Sequence, residues 1–186
     1  MRIVGGYLRG KRIEFLKSII TRPLRDFVKE NIFNIINHSN LIKINLKNAN
    51  VLDVYSGVGS FGIECISQGA KMSTFVENNS QALSVLKKNL DNLKIVDNSE
   101  IYSEKTTTFF KKARNKDKFE IIFLDPPFVE NFFIEELEMI KKSFIYKKEH
   151  LIVVHREVKS KDKLDDVLNV FLTRSYGRSK ILFGNF

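Results

Sequence analysis

The residues whose types and spacing point to chemistry are Asp125-Pro126-Pro127-Phe128, which follow the apolar run Ile121-Ile122-Phe123-Leu124. That run reads as a buried strand, so the tetrapeptide stands at a strand's carboxyl end, where ligands bind in open α/β sheets. Two consecutive prolines remove two backbone N–H donors and leave their carbonyls as acceptors. With the Asp125 carboxylate they form an acceptor cluster suited to an amino group, and Phe128 offers a flat apolar face on which a base could stack. Asp125, Pro126, Pro127 and Phe128 are therefore expected to be the catalytic residues in methylation of an exocyclic base amine. The purely structural alternative is a strand that ends in a Pro-Pro turn.

A second constellation lies upstream. Asn50-Val51-Leu52-Asp53-Val54 reads as a buried strand, Tyr55-Ser56-Gly57-Val58-Gly59 as a glycine-rich turn, and Ser60-Phe61-Gly62 as the opening of a helix. Gly57, Gly59 and Gly62 have GxGxxG spacing in the context that pattern requires, with a strand before and a helix after. A second strand, Met72 to Val76, ends in Glu77, whose carboxylate could accept hydrogen bonds from two ribose hydroxyls. Nicotinamide or flavin dinucleotides and S-adenosylmethionine both bind such a turn. Asp53 stands four residues before Gly57, where an acid would repel a pyrophosphate but favour a cationic amino group. Asp125 to Phe128 also has a substrate role that no dehydrogenase needs, so S-adenosylmethionine is the expected cofactor. A phosphate-binding P-loop is excluded because no Gly-Lys-Ser or Gly-Lys-Thr follows the glycines.

The rest of the chain supplies the elements that must position these residues. At 186 residues and 43% hydrophobic content, it is long enough for one well-buried core. No apolar run is long enough for a membrane span, and the first residues lack the core of a signal peptide, so a cytoplasmic protein without membrane contact is expected. The single cysteine, Cys65, lies in an apolar pattern and excludes an intramolecular disulfide and a cysteine-based metal cluster; no metal is expected. A net charge of +9 fits a polyanionic partner, although Lys87-Lys88 and Lys141-Lys142 read as solvated helix faces.

Residues Arg2 to Phe15 resemble a small hairpin with Gly5-Gly6 between β-prone pieces. Its cations Arg2, Arg9, Lys11 and Arg12 could lie along a phosphate backbone or merely guard a sheet edge. A helix is expected to open at Thr21-Arg22-Pro23 and run to about His38, with Val28, Ile32, Ile35 and Ile36 on one face. Residues 40–50 read as a connection, which divides a 1–45 amino-terminal appendage from a 46–186 main domain. Beyond it, helices near 80–93, 106–114 and 132–142 alternate with strands near 100–102, 119–124 and 151–154, and an antiparallel pair, 167–174 and 180–186, closes the chain. Alternating elements imply an α/β fold with a parallel sheet covered on both faces.

With both constellations in one chain, the sequence resembles class I S-adenosylmethionine-dependent methyltransferases acting on amino nitrogens, marked by Ile122 to Phe128. More specifically it resembles the RsmD family. That likeness rests on Arg2-Ile3-Val4-Gly5-Gly6 with Arg9-Gly10-Lys11, on Arg22-Pro23 with Asp26, Val28, Glu30, Phe33 and Asn34, on the turn from Asp53 to Gly62, and on Tyr176-Gly177-Arg178-Ser179-Lys180. The resemblance covers nearly the whole chain. It implies a Rossmann-like fold with a seven-stranded, mostly parallel sheet whose last strand is antiparallel, behind a small amino-terminal hairpin and helix.

The resemblance also implies methylation of the guanine N2 conventionally numbered 966 in 16S rRNA, within a 30S assembly particle, by a monomer. Carried over by position, Asp53, Tyr55, Ser56, Gly57, Gly59 and Glu77 hold the cofactor, with Ser103 standing where an Asp or Asn usually meets the adenine. Arg2, Arg9, Lys11, Arg22, Arg25 and Arg156 are expected on RNA phosphates. The chain departs from the family pattern at Leu24, at Phe27 and at His155, which replaces an acid and could be structural, solvated or in touch with substrate. Rival readings are an adenine-N6 DNA methyltransferase, for which no recognition insertion is large enough, a dinucleotide-dependent oxidoreductase, and a catalytically silent RNA-binding module.

Overall fold

The computed structural model describes residues 1–16, 24–113, 118–127, 133–162, 164 and 166–186. Among them are seven strands, β1 (Asn50–Val54), β2 (Met72–Glu77), β3 (Ser99–Ser103), β4 (Phe119–Leu124), β5 (Tyr146–Glu157), β6 (Asn169–Tyr176) and β7 (Ser179–Asn185). They form one sheet of order β3-β2-β1-β4-β5-β7-β6, parallel throughout except that β7 runs antiparallel to both β5 and β6. The central strands are apolar at nearly every position because helices cover both faces.

The period of two along each strand sorts the core. Leu52, Val54, Ile122, Leu124, Ile152 and Val154 face α4 (Thr106–Lys112) and α5 (Phe133–Ser143), where Phe109, Phe110, Phe133, Leu137 and Ile140 meet them. Val51, Ile121, Phe123, Leu151 and Val153 face α1 (Asp26–His38) and α2 (Ser60–Ser67). There Phe61 stacks on Phe123 with centroids 4.0 Å apart, and Phe33 packs on Phe61 at 5.2 Å. A third cluster joins Ile63 and Ile66 of α2 and Phe75 of β2 to Leu86 and Leu90 of α3 (Ser80–Leu93), and to Ile3, Leu8 and Ile13 of the amino-terminal segment.

The amino-terminal hairpin is reduced to one antiparallel bridge, Arg2 with Arg12. Ile3 and Ile13 N–H groups donate across it to the Lys11 and Met1 carbonyls at 3.0 and 3.1 Å, whereas those of Val4 and Gly5 donate to the Glu64 carboxylate at 2.9 and 2.7 Å and that of Tyr7 to the Ser67 carbonyl at 2.9 Å. The segment is therefore a short hairpin that also caps the end of α2. Gly6 is indispensable to that contact, since its φ is +73° and a Cβ there would lie 1.7 Å from the Ser67 carbonyl oxygen. Beneath it, Lys29 of α1 and Glu64, both fully buried, pair at 3.1 Å, and Lys29 also donates to the Arg2 carbonyl at 2.7 Å. This pair ties the first segment, α1 and α2 together.

The expected helix begins at Asp26, with Arg25 as N-cap; Thr21, Arg22 and Pro23 lie outside the described residues. β5 is longer than its apolar run because polar residues extend it at both ends: His150, His155 and Arg156 are buried beside Leu151 to Val154, and Lys147 to Glu149 are exposed. The chain leaves β1 toward β2 on one side and places β4 on the other. The carboxyl ends of β1 and β4 thus flank the switch point, where such sheets open a crevice.

Candidate active site

The loop after β1 is built mainly by backbone. Tyr55 has a left-handed φ of +60°, and Gly57 and Gly59 follow at +55° and +87°. Tyr55 turns its hydroxyl to the Glu136 carboxylate of α5, which also accepts from the Thr106 hydroxyl at the start of α4. The Tyr55–Glu136 bond holds this left-handed residue, and the Thr106 bond holds Glu136. The three glycines divide by role. A Cβ at Gly59 would lie 2.4 Å from Leu86 Cδ1, and one at Gly62 would lie 2.4 Å from the Phe75 ring, so both permit close packing of α2. A Cβ at Gly57 would meet nothing within 4 Å, so this glycine borders open space.

Two acids hold that loop. Glu77 accepts from Gly57 N–H, Asn78 N–H and Asn79 N–H, each at 2.8 Å, joining the end of β2 to the turn. Asp53, 1% exposed, accepts from Gly62 N–H at 2.9 Å. Burial pushes the Asp53 carboxyl up to about 8; the Gly62 hydrogen bond opposes this, and the charges of Asp125 and Glu77 add to it. The hydroxyls of Ser56 and Ser60 are buried without a hydrogen-bond partner among the described residues, the condition of polar atoms that await a ligand. Two acids, two unpartnered hydroxyls and an open glycine suit a ligand with hydroxyls and positive charge. The donor set fits S-adenosylmethionine. Ser103 ends β3 in register with Glu77 and is exposed on the same edge.

The second half of the site is built by side chains. Asp125 follows β4, and its carboxylate accepts from His155 Nδ1 at 2.8 Å. His155 Nε2 in turn lies 2.9 Å from the Ser179 hydroxyl of β7. An acceptor at Asp125 sets the tautomer, with the proton on Nδ1 and Ser179 donating to Nε2. Pro126 is buried and Pro127 exposed. Phe128 lies outside the described residues.

Arg156 is not available to RNA. It is 1% exposed: its guanidinium donates to both Asp162 oxygens at 3.0 and 3.1 Å and to the Pro127 carbonyl at 3.3 Å, and it stacks on the Phe133 ring at 4.3 Å. The alternation of β5 turns Arg156 toward α5, so it braces the Asp-Pro-Pro turn from below. Burial alone would raise the Asp162 carboxyl; hydrogen bonds from Arg156 and Ser160 and the charges of Arg156 and Lys180 outweigh it and hold the carboxyl below its ordinary value. Of the other cations expected on phosphates, Arg2, Arg9, Lys11 and Arg25 are exposed, and Arg22 lies outside the described residues.

Sequence reasoning left His155 undecided and missed Glu136, Asp162 and Ser179. Pairing β4 with the strand that ends in Val154 would have set Leu124 beside it and Asp125 beside His155; register was the missing signal. A cleft of about 300 Å³ lined by Leu41, Ile44, His150 and Phe171 lies at the opposite end of the strands and does not touch these residues.

A family model described as "Conserved hypothetical protein 95" matches residues 1–185. The chain belongs to this family, the RsmD family. Among RsmD relatives, "Ribosomal RNA small subunit methyltransferase D" of Haemophilus influenzae is 34% identical over 164 residues, 88% of this chain and 80% of that protein. The protein of the same name from Buchnera aphidicola (Acyrthosiphon pisum) is 34% identical over 181 residues, 91% of each chain. A solved structure described as "Putative methyltransferase yhhF from Escherichia coli" superposes with a TM-score of 0.83 at 25% identity, covering 99% of this chain and 96% of that one. The RsmD chain described here has the Rossmann-like class I methyltransferase fold.

Proposed function

We propose that this chain transfers a methyl group from S-adenosylmethionine to the exocyclic N2 of a guanine in 16S rRNA, acting as a monomer on an assembling small subunit. The observation that carries the reading is the acceptor cluster at the switch point: Asp125 held by His155, and the Pro127 carbonyl held by Arg156, beside the acid-lined glycine loop. The names of the relatives support methyl transfer to small-subunit rRNA.

The cofactor's sulfonium supplies an electrophilic methyl, whose carbon–sulfur bond breaks as a carbon–nitrogen bond forms, leaving a neutral thioether. Glu77, with Gly57, Ser56 and Ser60, is the group of residues to bind its hydroxyls, and Asp53 the residue to favour its positive charge. The remaining work is acceptance and placement. A guanine N2 lone pair is delocalised into the ring. Accepting its two N–H bonds at the Asp125 carboxylate and the Pro126 carbonyl aims the nitrogen and offsets the positive charge that builds on it. The nitrogen then loses one proton, to Asp125 or to water. His155 fixes the Asp125 carboxylate, and Phe128 is the residue proposed to stack on the base turned out of its helix. Arg2, Arg9, Lys11 and Arg25 present the 1–45 segment to phosphates, and Arg22 is proposed with them.

Mass spectrometry of 16S rRNA from cells lacking this protein tests base and position together. Loss of one N2-methylguanine, restored by the wild-type gene and not by Asp125→Ala, is expected. An unchanged guanine profile with a missing methyl on an adenine would overturn the base assignment.

A further inference from the structure

Phe27 is 64% exposed on the first turn of α1, although the helix buries Val28, Ile32 and Phe33 beneath it. Its ring meets Tyr176 edge-on, with centroids 5.9 Å apart and planes at 85°. Tyr176 is the last residue of the edge strand β6 and is paired in register with Ser179. Ser179 is the hydroxyl on His155, which holds Asp125. The aromatic pair therefore stands at the same end of the sheet as the acceptor cluster, one ladder step and two hydrogen bonds away. Arg174 lies two residues before Tyr176 on β6 and is exposed, and Arg25 precedes α1 and is exposed. Among the described residues neither has a carboxylate partner, whereas Arg2 is paired with Asp26 and Arg178 with Glu157.

We propose that Phe27 and Tyr176 form a stacking platform, flanked by Arg25 and Arg174, for an unpaired RNA nucleotide next to the methylated base. The inference rests on the rRNA methylation reading and adds to it where the flanking strand is held. An exposed aromatic face with a guanidinium two residues before each ring, neither having a carboxylate partner among the described residues, matches a nucleotide, which carries a flat base and an anionic phosphate at neighbouring positions. Every base has a π face, so the platform tolerates sequence and serves to hold the strand while the target is turned out. Two rings, one packed by its edge, are too small an apolar surface for a stable protein partner.

The chain contains no tryptophan, so Phe27→Trp is both a conservative replacement and a single reporter. In the full chain, its indole fluorescence is expected to be quenched by an RNA hairpin with unpaired nucleotides beside the target guanine, with affinity near wild type. Phe27→Ala is expected to bind that hairpin on the order of tenfold more weakly while binding S-adenosylmethionine unchanged, which shows that it folds. Wild-type RNA affinity in Phe27→Ala, or no quenching in Phe27→Trp, overturns the platform, even if the wild type methylates RNA. Self-association that Phe27→Ala abolishes without a change in RNA affinity would assign the patch to a second copy of this chain, and so would also overturn it. Failure of the methylation reading shows separately, as quenching and the Phe27→Ala loss of affinity without methyl transfer by the wild type.

Discussion

Asp53, within β1, and Asp125, just past the neighbouring strand β4, are two carboxylates near the switch point with opposite surroundings. Asp53 is 1% exposed and is held by a backbone N–H from nine residues ahead. Asp125 has a side chain 25% exposed and is held by an imidazole from another strand, itself held by a third. Burial raises the first to about 8, so it stores an unmet preference for a nearby cation. The second is solvated and aimed. A group that binds a charge gains from being desolvated, whereas a group that must accept protons from an incoming base gains from being oriented and reachable.

Removing the aimed carboxylate breaks the contrast most completely. Asp125→Ala should lower methyl transfer by about 10³-fold while leaving S-adenosylmethionine affinity within about twofold, read by transfer of labelled methyl and by calorimetry; equal losses in both would mean that the two acids form one binding site. Next in size is the orienting group. A hydrogen bond to a charged group contributes about 1.5–3 kcal/mol, so His155→Leu should slow transfer roughly ten- to a hundredfold with little change in RNA KM. His155→Asn, which keeps a donor, should recover most of the rate, and equal rates in the two variants would remove His155 from the account.

The buried half should answer to packing instead. Gly62→Ala drives a methyl into the Phe75 ring and should reduce stability by about 1–3 kcal/mol, seen as a lower Tm; an unchanged Tm would show that α2 moves freely, contrary to its complete burial. A further effect is in pH. With Asp53 near 8 against an ordinary 3.8, the folded chain keeps a proton that the unfolded chain has released between those values, so this group's contribution makes stability fall as pH rises through that window. A cationic ligand favours the ionised form, so affinity for S-adenosylmethionine should rise with pH up to about 8 and then level. Asp53→Asn should flatten both slopes, and a wild-type affinity independent of pH between 6 and 8 would contradict the assignment.

The same contrast explains what the sequence disclosed. The glycine turn is local: Gly57, Gly59 and Gly62 are required by φ or by contacts with Leu86 and Phe75, and their spacing survives in the chain as a pattern. Strands and helices were readable for the same reason, since the apolar residues that set their period lie within a few positions of each other. The supports of the Asp-Pro-Pro turn come from His155, Arg156, Asp162 and Ser179, as many as 54 positions downstream of Asp125. No local pattern links them to Asp125. Arg156 was misread for a related reason: in sequence it is a cation beside an active site, and only the alternation of β5 shows that it points to Phe133 and away from solvent. In the amino-terminal hairpin the Ile3 and Ile13 N–H groups pair with the Lys11 and Met1 carbonyls, but those of Val4, Gly5 and Tyr7 go to Glu64 and Ser67, some sixty positions away, which no local pattern announces.

The most direct test of the central claim uses purified protein, unmethylated 16S rRNA assembled with small-subunit proteins, and S-adenosylmethionine labelled in its methyl group, followed by nuclease digestion and nucleoside mass spectrometry. The account predicts label in N2-methylguanosine alone, at one position, and none with Asp125→Ala. Label in another nucleoside, or transfer that persists in Asp125→Ala, would contradict it.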